Sequence, residues 1–301
     1  MRIMLSALAF LAAAPVRAEP PQVVVDTPVT ASLVQQVMGE GAPVQVLLPQ
    51  GASAHHHQMR PSDARGLQEA GLLVWTGPEL TPWLDRSAAS LAEGVAQLRL
   101  LDVPGTHLRG YDEDHGHDHD RDHGHDHGGI DPHAWLDPAN ARLWLTAIAG
   151  VLAQKDPGNA EAYARNAARA GQRIADLDAG LQAQLAPHKD ASLVVVHDAY
   201  GYFTDHYGLR PAIAVSLGDA STPSAARLSA IRTEIAATRA ACAFPEYGGD
   251  PTLVQAAIEG SDVRMGKELS PEGGNASPGP DLYFALMRDM ADTIDSCLSE
   301  R

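Results

Sequence analysis

The sequence predicts an α/β protein of two lobes, each a parallel sheet flanked by helices, joined by one long α-helix. Three observations carry this. Short β-branched runs alternate with helical spacing through residues 22–101, and a second such series runs from 193 to 298. Between them, residues 159–186 keep one apolar stripe without a break. At roughly 100–200 residues per domain, a chain of 301 residues accommodates that division. The expected boundaries are a leader over 1–18, an N-terminal lobe over 19–155, the linking helix over 156–187 and a C-terminal lobe over 188–301.

In chain order, Gln22–Asp26 (QVVVD) reads as a strand and Thr30–Met38 as a helix. Val44–Leu48 is the second strand, and Pro61–Glu69 a helix opened by proline, whose fixed φ suits a first helical turn. Leu72–Trp75 (LLVW) is the third strand, Pro82–Leu91 a helix and Gln97–Leu101 the fourth strand. Asp137-Pro138 then starts an Ala/Leu-rich helix to about Gln154, and Asn159 begins a longer one to about Ala186. In the latter, Tyr163, Ala167, Ala170, Ile174, Leu177 and Leu181 recur at helical steps, and Pro187 ends it. The second series is strand Leu193–Val196, helix Ala199–His206, strand Ala212–Ser216 and helix Ala225–Thr238. It continues with strand Cys242–Phe244, helix Thr252–Gly260, strand Val263–Met265 and helix Asp281–Leu298. No strong sequence repeat links the lobes, so similar topology is expected without evident duplication.

The chain carries 22 Lys plus Arg against 38 Asp plus Glu, a net charge of −16. Binding to nucleic acid or to an anionic membrane needs a basic face, so neither is expected. Met1–Ala18 has Arg2 before an apolar stretch, Ile3–Ala14, and then Val16-Arg17-Ala18, which reads as a secretory signal cut after Ala18. The apolar stretch is too short to span a bilayer, and no Cys follows the cut to take a lipid. Removing the leader takes away two Arg and moves the charge from −16 to −18. Export makes a disulfide the simplest state of the two cysteines, Cys242 and Cys297. Two zinc thiolates are the weaker alternative, because neither sits in a C-x-x-C pair.

Histidine is the outlier, at 14 residues. In open α/β sheets, ligands bind outside the carboxyl ends of the strands. His55, within Ala54-His55-His56-His57, follows the second strand; His133 lies in the connection after the fourth; His197 directly follows LVVV. One histidine after a strand is ordinarily a satisfied polar residue or a cap. Three at equivalent places in two lobes suit a borderline-soft divalent ion, zinc above all. His56 and His57 adjoin the first of these and could substitute for it, whereas His107, His188 and His206 have no evident role. Asp198 reads as the N-cap of the following helix or as a hydrogen-bond acceptor behind the metal. Glu246 follows the strand at 242–244 and could face the cleft, with an exposed loop carboxylate the default reading.

Several motifs resemble those of metal-binding periplasmic proteins that feed ABC importers (the cluster A-I family), and within it the zinc branch. Gly51-Ala-Ser-Ala-His55 with Arg60-Pro-Ser-Asp63 resembles that family's first-ligand segment, and Leu72-Leu-Val-Trp-Thr-Gly77 its next strand. Asp131-Pro-His133-Ala-Trp-Leu-Asp-Pro138 resembles the second, and Val196-His197-Asp-Ala-Tyr-Gly-Tyr-Phe203 the third. Val263-Arg-Met-Gly266 resembles the strand before the fourth. The resemblance covers essentially the whole mature chain. It implies a zinc-binding, non-enzymatic, monomeric periplasmic protein whose partner is an inner-membrane ABC zinc permease. A histidine at the third position favours Zn²⁺ over the family's manganese branch, where a carboxylate tends to stand. At the fourth position many relatives carry Asp; here Ser270 falls there, two residues after Glu268. The expectation is three His plus water, with Glu268 the alternative fourth ligand. An open position on zinc also describes hydrolases, but no H-E-x-x-H motif is present. A zinc buffer without a transporter is a further rival.

Asp112–His127 reads DEDHGHDHDRDHGHDH, with six His (His115, His117, His119, His123, His125, His127), seven acids and one Arg. With no apolar side chain it cannot bury a core, so a disordered loop over about 110–130 is expected. Such a density of imidazole and carboxylate groups suits an auxiliary zinc collector. A solvated acidic loop with only incidental affinity is the alternative.

Overall fold

The structure, a computed structural model, describes residues 20–39, 41–92, 94–111, 129–216 and 223–300. The expected leader and the His/Asp run 112–127 lie outside the described residues. The N-terminal lobe contains β1 (Val23–Val25), α1 (Pro28–Met38), β2 (Val44–Val46), α2 (Pro61–Glu69), β3 (Leu72–Trp75), α3 (Pro82–Leu91) and β4 (Ala96–Arg99). Two helices follow, α4 (Pro138–Lys155) and α5 (Ala160–Leu185). The C-terminal lobe contains β5 (Leu193–His197), α6 (Gly201–Tyr207), β6 (Ile213–Ser216), α7 (Ala225–Thr238), β7 (Cys242–Phe244), α8 (Thr252–Ile258), β8 (Arg264–Met265) and α9 (Leu282–Ser299).

Both sheets are wholly parallel, in the orders β2-β1-β3-β4 and β6-β5-β7-β8. The two lobes thus share one topology, as expected. Parallel strands covered on both faces read as continuous apolar runs, which is why VVV, LLVW and LVVV are the clearest strand signals. Prolines open α1, α2, α3 and α4, where the missing N–H costs no hydrogen bond. The fourth strand begins and ends earlier than expected. Pairing nevertheless runs on, with Leu100 and Leu101 donating to the carbonyls of Trp75 and Thr76, before the chain turns away.

Alternation along the strands divides the interior. Val24, Leu73 and Trp75 face α2 and α3, while Val23, Val25, Leu72 and Val74 face α1. In the second lobe, Val194 and Val196 meet Ile231 and Ile235 of α7, while Leu193, Val195, Cys242 and Phe244 turn the other way. Those inward sets belong to one continuous core, which also holds Leu33, Trp144, Tyr163, Ile174, Met287 and Ile294. Helix α5, 26 residues and therefore about 39 Å long, lies along this shared core. A disulfide joins Cys242 at the start of β7 to Cys297 in α9, as the export argument anticipates.

Each four-strand order reverses direction at one point, between β1 and β3 and between β5 and β7. These are the crevices where open sheets bind ligands. In the first lobe the crevice is closed by Asp26, fully buried and accepting the backbone N–H groups of Thr27 and Thr76, each at 2.7 Å. In the second it is occupied by His197 at the end of β5 and by Glu246 just after β7.

Candidate metal centre

His55 sits on the loop between β2 and α2. The loop is pinned by Trp83, whose indole N–H donates to the Ala54 carbonyl at 2.7 Å, and by Ser53 Oγ, which accepts from the His56 backbone at 3.2 Å. His56 is exposed, and the His57 ring packs edge-on against Trp83 at 4.9 Å. Burial holds the His57 pKa below the usual imidazole range, against the pull of Asp63. Neither neighbour joins the cluster that His55 enters.

His133 precedes a single 3-10 turn, Ala134–Leu136, and is completely buried. Its Nδ1 donates to Asp131 Oδ1 at 2.8 Å, and its backbone N–H donates to the same oxygen at 3.0 Å. Nε2 is thereby the nitrogen left with a lone pair; it is buried and makes no hydrogen bond among the described residues. Trp135 ties this turn to the opposite lobe, its indole N–H donating to the Pro271 carbonyl at 2.9 Å.

His197 is the last residue of β5, not the first residue beyond it, and only 2% exposed. Its Nδ1 donates to Glu246 Oε2 at 2.6 Å. Glu246 is therefore no exposed loop carboxylate: its side chain is 17% exposed and holds a candidate ligand. The signal was its place directly after β7, at the crevice. Asp198 also departs from expectation. Helix α6 begins at Gly201, so Asp198 does not cap it; it lines a small cavity with Arg109, Tyr111 and Asp131.

The three rings converge. Their centroids lie 5.5 Å (His55–His133), 5.4 Å (His133–His197) and 6.4 Å (His55–His197) apart, and one nitrogen from each lies within 4.8 Å of the others. A tetrahedral ion with Zn–N bonds of about 2.0–2.1 Å spaces its ligands about 3.4 Å apart. Closure around zinc thus needs movements of about 1.4 Å or less, within reach of side-chain and loop adjustment. Carboxylates behind Nδ1 of two of the rings fix the tautomer and raise ligand basicity, the usual arrangement around metal-bound imidazole.

Beside the cluster lies a cleft of about 260 Å³ between the lobes, lined by Pro49 and Ser53 on one side and Glu246, Tyr247, Asp250 and Glu272 on the other. Buried Tyr200 stands 6.4 Å from the His197 ring; burial, with Glu246 and Glu272, pushes its phenol well above the usual range, so it remains neutral. Ser270 is buried and lines the cleft. Glu268 is not brought to the three imidazoles: it is exposed, in a separate surface depression with Lys267, Asn275 and Asp289. Leu269 turns into the core and pins the chain, donating to Pro245 and accepting from Tyr247, which leaves Glu268 outside.

The three histidines without an evident role in the sequence, His107, His188 and His206, have structural partners. His107 pairs with Asp137 at 2.9 Å, His188 with Asp295 at 2.7 Å and His206 with Asp178 at 2.8 Å.

Comparison with known proteins bears on the same chain. A family model described as zinc-uptake complex component A, periplasmic (ZnuA), matches residues 23–297. A high-affinity zinc uptake system protein ZnuA from Paracoccus denitrificans is 53% identical, covering 98% of this chain and 97% of that one. Its namesake from Brucella suis is 35% identical over 89% of each. Among solved structures, the periplasmic zinc binding protein TroA from Treponema pallidum superimposes with a TM-score of 0.79 at 22% identity, covering 93% of this chain and 99% of that one. A Mn-bound periplasmic metal binding protein from Candidatus Liberibacter asiaticus gives 0.78 at 19%, covering 92% and 99%. At such identities these two share the fold alone. With a family match over nearly its whole length and relatives well above 30% identity, the chain belongs to the ZnuA family, the periplasmic component A of zinc-uptake complexes.

Proposed function

We propose that this chain captures Zn²⁺ on His55, His133 and His197, with water in the fourth position, and delivers it as a monomer to an inner-membrane ABC zinc permease. The observation that carries the reading is the convergence of three imidazoles from both lobes, two of them backed by carboxylates. Family membership supports a binding role, not a hydrolytic one. Three neutral nitrogen donors favour zinc over manganese, because the Irving–Williams order and donor softness act in the same direction. The segment 112–127, with six of the 14 histidines, serves in this reading as a weaker collector that raises the local zinc concentration.

Release follows from the packing. One core runs through both lobes and α5 spans it, so wide hinge opening would expose much buried apolar surface. Lobe movements are small, and loops carrying His55 and His133 reorder. Among the described residues no helix is long and apolar enough to cross a membrane, which suits a protein that meets its permease from outside the bilayer.

The test is a side-by-side competition titration of Zn²⁺ and Mn²⁺ on the full chain and on His55→Ala, His133→Ala and His197→Ala. The reading expects one tight zinc site, at least ~100-fold preferred over manganese, lost in each variant. Equal affinity for the two ions, or tight binding surviving any of the three substitutions, would defeat it.

A further inference from the structure

The described arms on either side of 112–127 run antiparallel. Gly110 bridges Ile130, the Asp131 backbone N–H donates to the Arg109 carbonyl at 2.9 Å, and Tyr111 donates to Gly129 at 3.3 Å. An antiparallel pair of this kind ordinarily exchanges two bonds, so Arg109 N–H should reach the Asp131 carbonyl. It does not. The Arg109 N–H donates to the Tyr202 hydroxyl at 2.8 Å, and that hydroxyl donates to the Asp131 carbonyl at 2.9 Å. A side chain from the opposite lobe is inserted into the ladder where the second bond belongs.

Two further contacts hold it there. Arg109 Nε pairs with Asp205 at 3.1 Å, and its guanidinium lies 5.9 Å from the centre of the Tyr202 ring. Gly201 makes room, since a Cβ there would collide with the same guanidinium. Gly201, Tyr202 and Asp205 all belong to α6, which starts four residues after His197. Asp131, on the other side, holds the His133 ring.

We propose that Tyr202 is a positioning residue that couples the two lobes at the metal centre: its hydroxyl ties the Asp131–His133 segment to the helix that follows His197, setting how fast a bound ion is released. The proposal rests on the three-histidine reading above. Tyr202→Phe is a clean perturbation. The ring still fills its buried place, and Arg109 N–H can close directly on the Asp131 carbonyl, so no buried backbone group needs to be stranded. The ladder survives and the Arg109–Asp205 ion pair remains, while the hydroxyl's tie from α6 to the Asp131 carbonyl is lost.

Zn²⁺ release into excess chelator, followed by stopped flow, tests this on the full chain, with Tyr207→Phe as control. Tyr207 is likewise buried on α6, but packs against Phe203 at 4.6 Å. Melting of the metal-free proteins is recorded beside the rates. The expectation is release roughly five- to tenfold faster in Tyr202→Phe and within about twofold of the parent in Tyr207→Phe, whatever each does to melting. An unchanged rate in Tyr202→Phe overturns the proposal. So does equal acceleration in both variants, which would mean general loosening of α6. His133→Ala separates the two layers: if it keeps the tight site, the three-histidine reading fails and the coupling falls with it. If it loses the site while Tyr202→Phe releases normally, only the coupling is wrong.

Discussion

Glu246 offers the sharpest test of how the metal centre works. Its Oε2 accepts from His197 Nδ1 at 2.6 Å, with the two side chains 17% and 2% exposed. At that depth a charge-assisted hydrogen bond is little screened and contributes about 1.5–3 kcal/mol. Removing the carboxylate behind a metal-bound imidazole typically costs 10–100-fold in affinity, or about 1.4–2.7 kcal/mol, and the two estimates agree. Glu246→Gln keeps the shape and an acceptor oxygen but not the charge, so it should weaken zinc about tenfold. Glu246→Ala also frees the imidazole to turn or to change tautomer, and should approach 100-fold. The assay is competition against a chromogenic chelator at fixed pH and salt, with circular dichroism to show that each variant is folded. Affinity within about twofold of the parent in Glu246→Ala would refute the reasoning, since the carboxylate would then be neither orienting nor polarising His197.

Other consequences follow. Deleting 112–127 should leave one tight site in a zinc titration and remove several weaker ones; loss of the tight site would end the division of labour between collector and cleft. Breaking Cys242–Cys297, whose cysteines lie 55 positions apart, should cost about 4 kcal/mol of stability while leaving zinc affinity within about threefold, read by denaturant unfolding and titration. His206 is held above the usual imidazole range by its hydrogen bond to Asp178, with burial opposing. The folded state therefore binds that proton more tightly than the unfolded one. The stabilisation is complete below about pH 6.5 and disappears as pH rises through the folded value. Melting of the metal-free protein between pH 5 and 9 should show this loss, and His206→Gln should flatten it; an identical profile in the variant would refute the assignment. Because the ligand imidazoles bind zinc only when neutral, affinity should fall on acidification, with protons released on binding, measurable by titration in buffers of different ionisation enthalpy.

Most of the architecture is legible in the chain because its strands are covered on both faces. VVV, LLVW and LVVV admit few alternatives, and prolines at the first turns of four helices mark their starts. The three candidate ligands are legible for a related reason. Each falls at or beyond the carboxyl end of a strand, and topology sends those ends to one crevice. The default readings of Asp198 as a cap and of Glu246 as an exposed carboxylate fail because a side chain's partner is not a local property. A cap at Asp198 requires α6 to begin at Ala199, and it begins at Gly201. Glu246 looked like any loop carboxylate until β7 was placed beside β5. Glu268 shows the converse: two residues before the expected fourth position, it is turned outward by the burial of Leu269.

Fold class, cysteine pairing and the choice of candidate histidine ligands are legible in the residues alone. These rest on hydrophobic periodicity, compartment chemistry and spacing, all of which act along the chain. The folded packing adds which nitrogen of the His133 and His197 rings meets a carboxylate, that His56 and His57 stand outside the three-histidine cluster, and that a tyrosine from one lobe completes a ladder in the other. Except for His133 with Asp131, two positions away, each depends on contacts between residues from 49 to 93 positions apart or on the packing of one loop, such as His197 with Glu246 and Arg109 with Tyr202. Hydrogen-bond geometry resolves to tenths of an ångström, and no pattern of residue types carries that precision until the lobes have closed on one core.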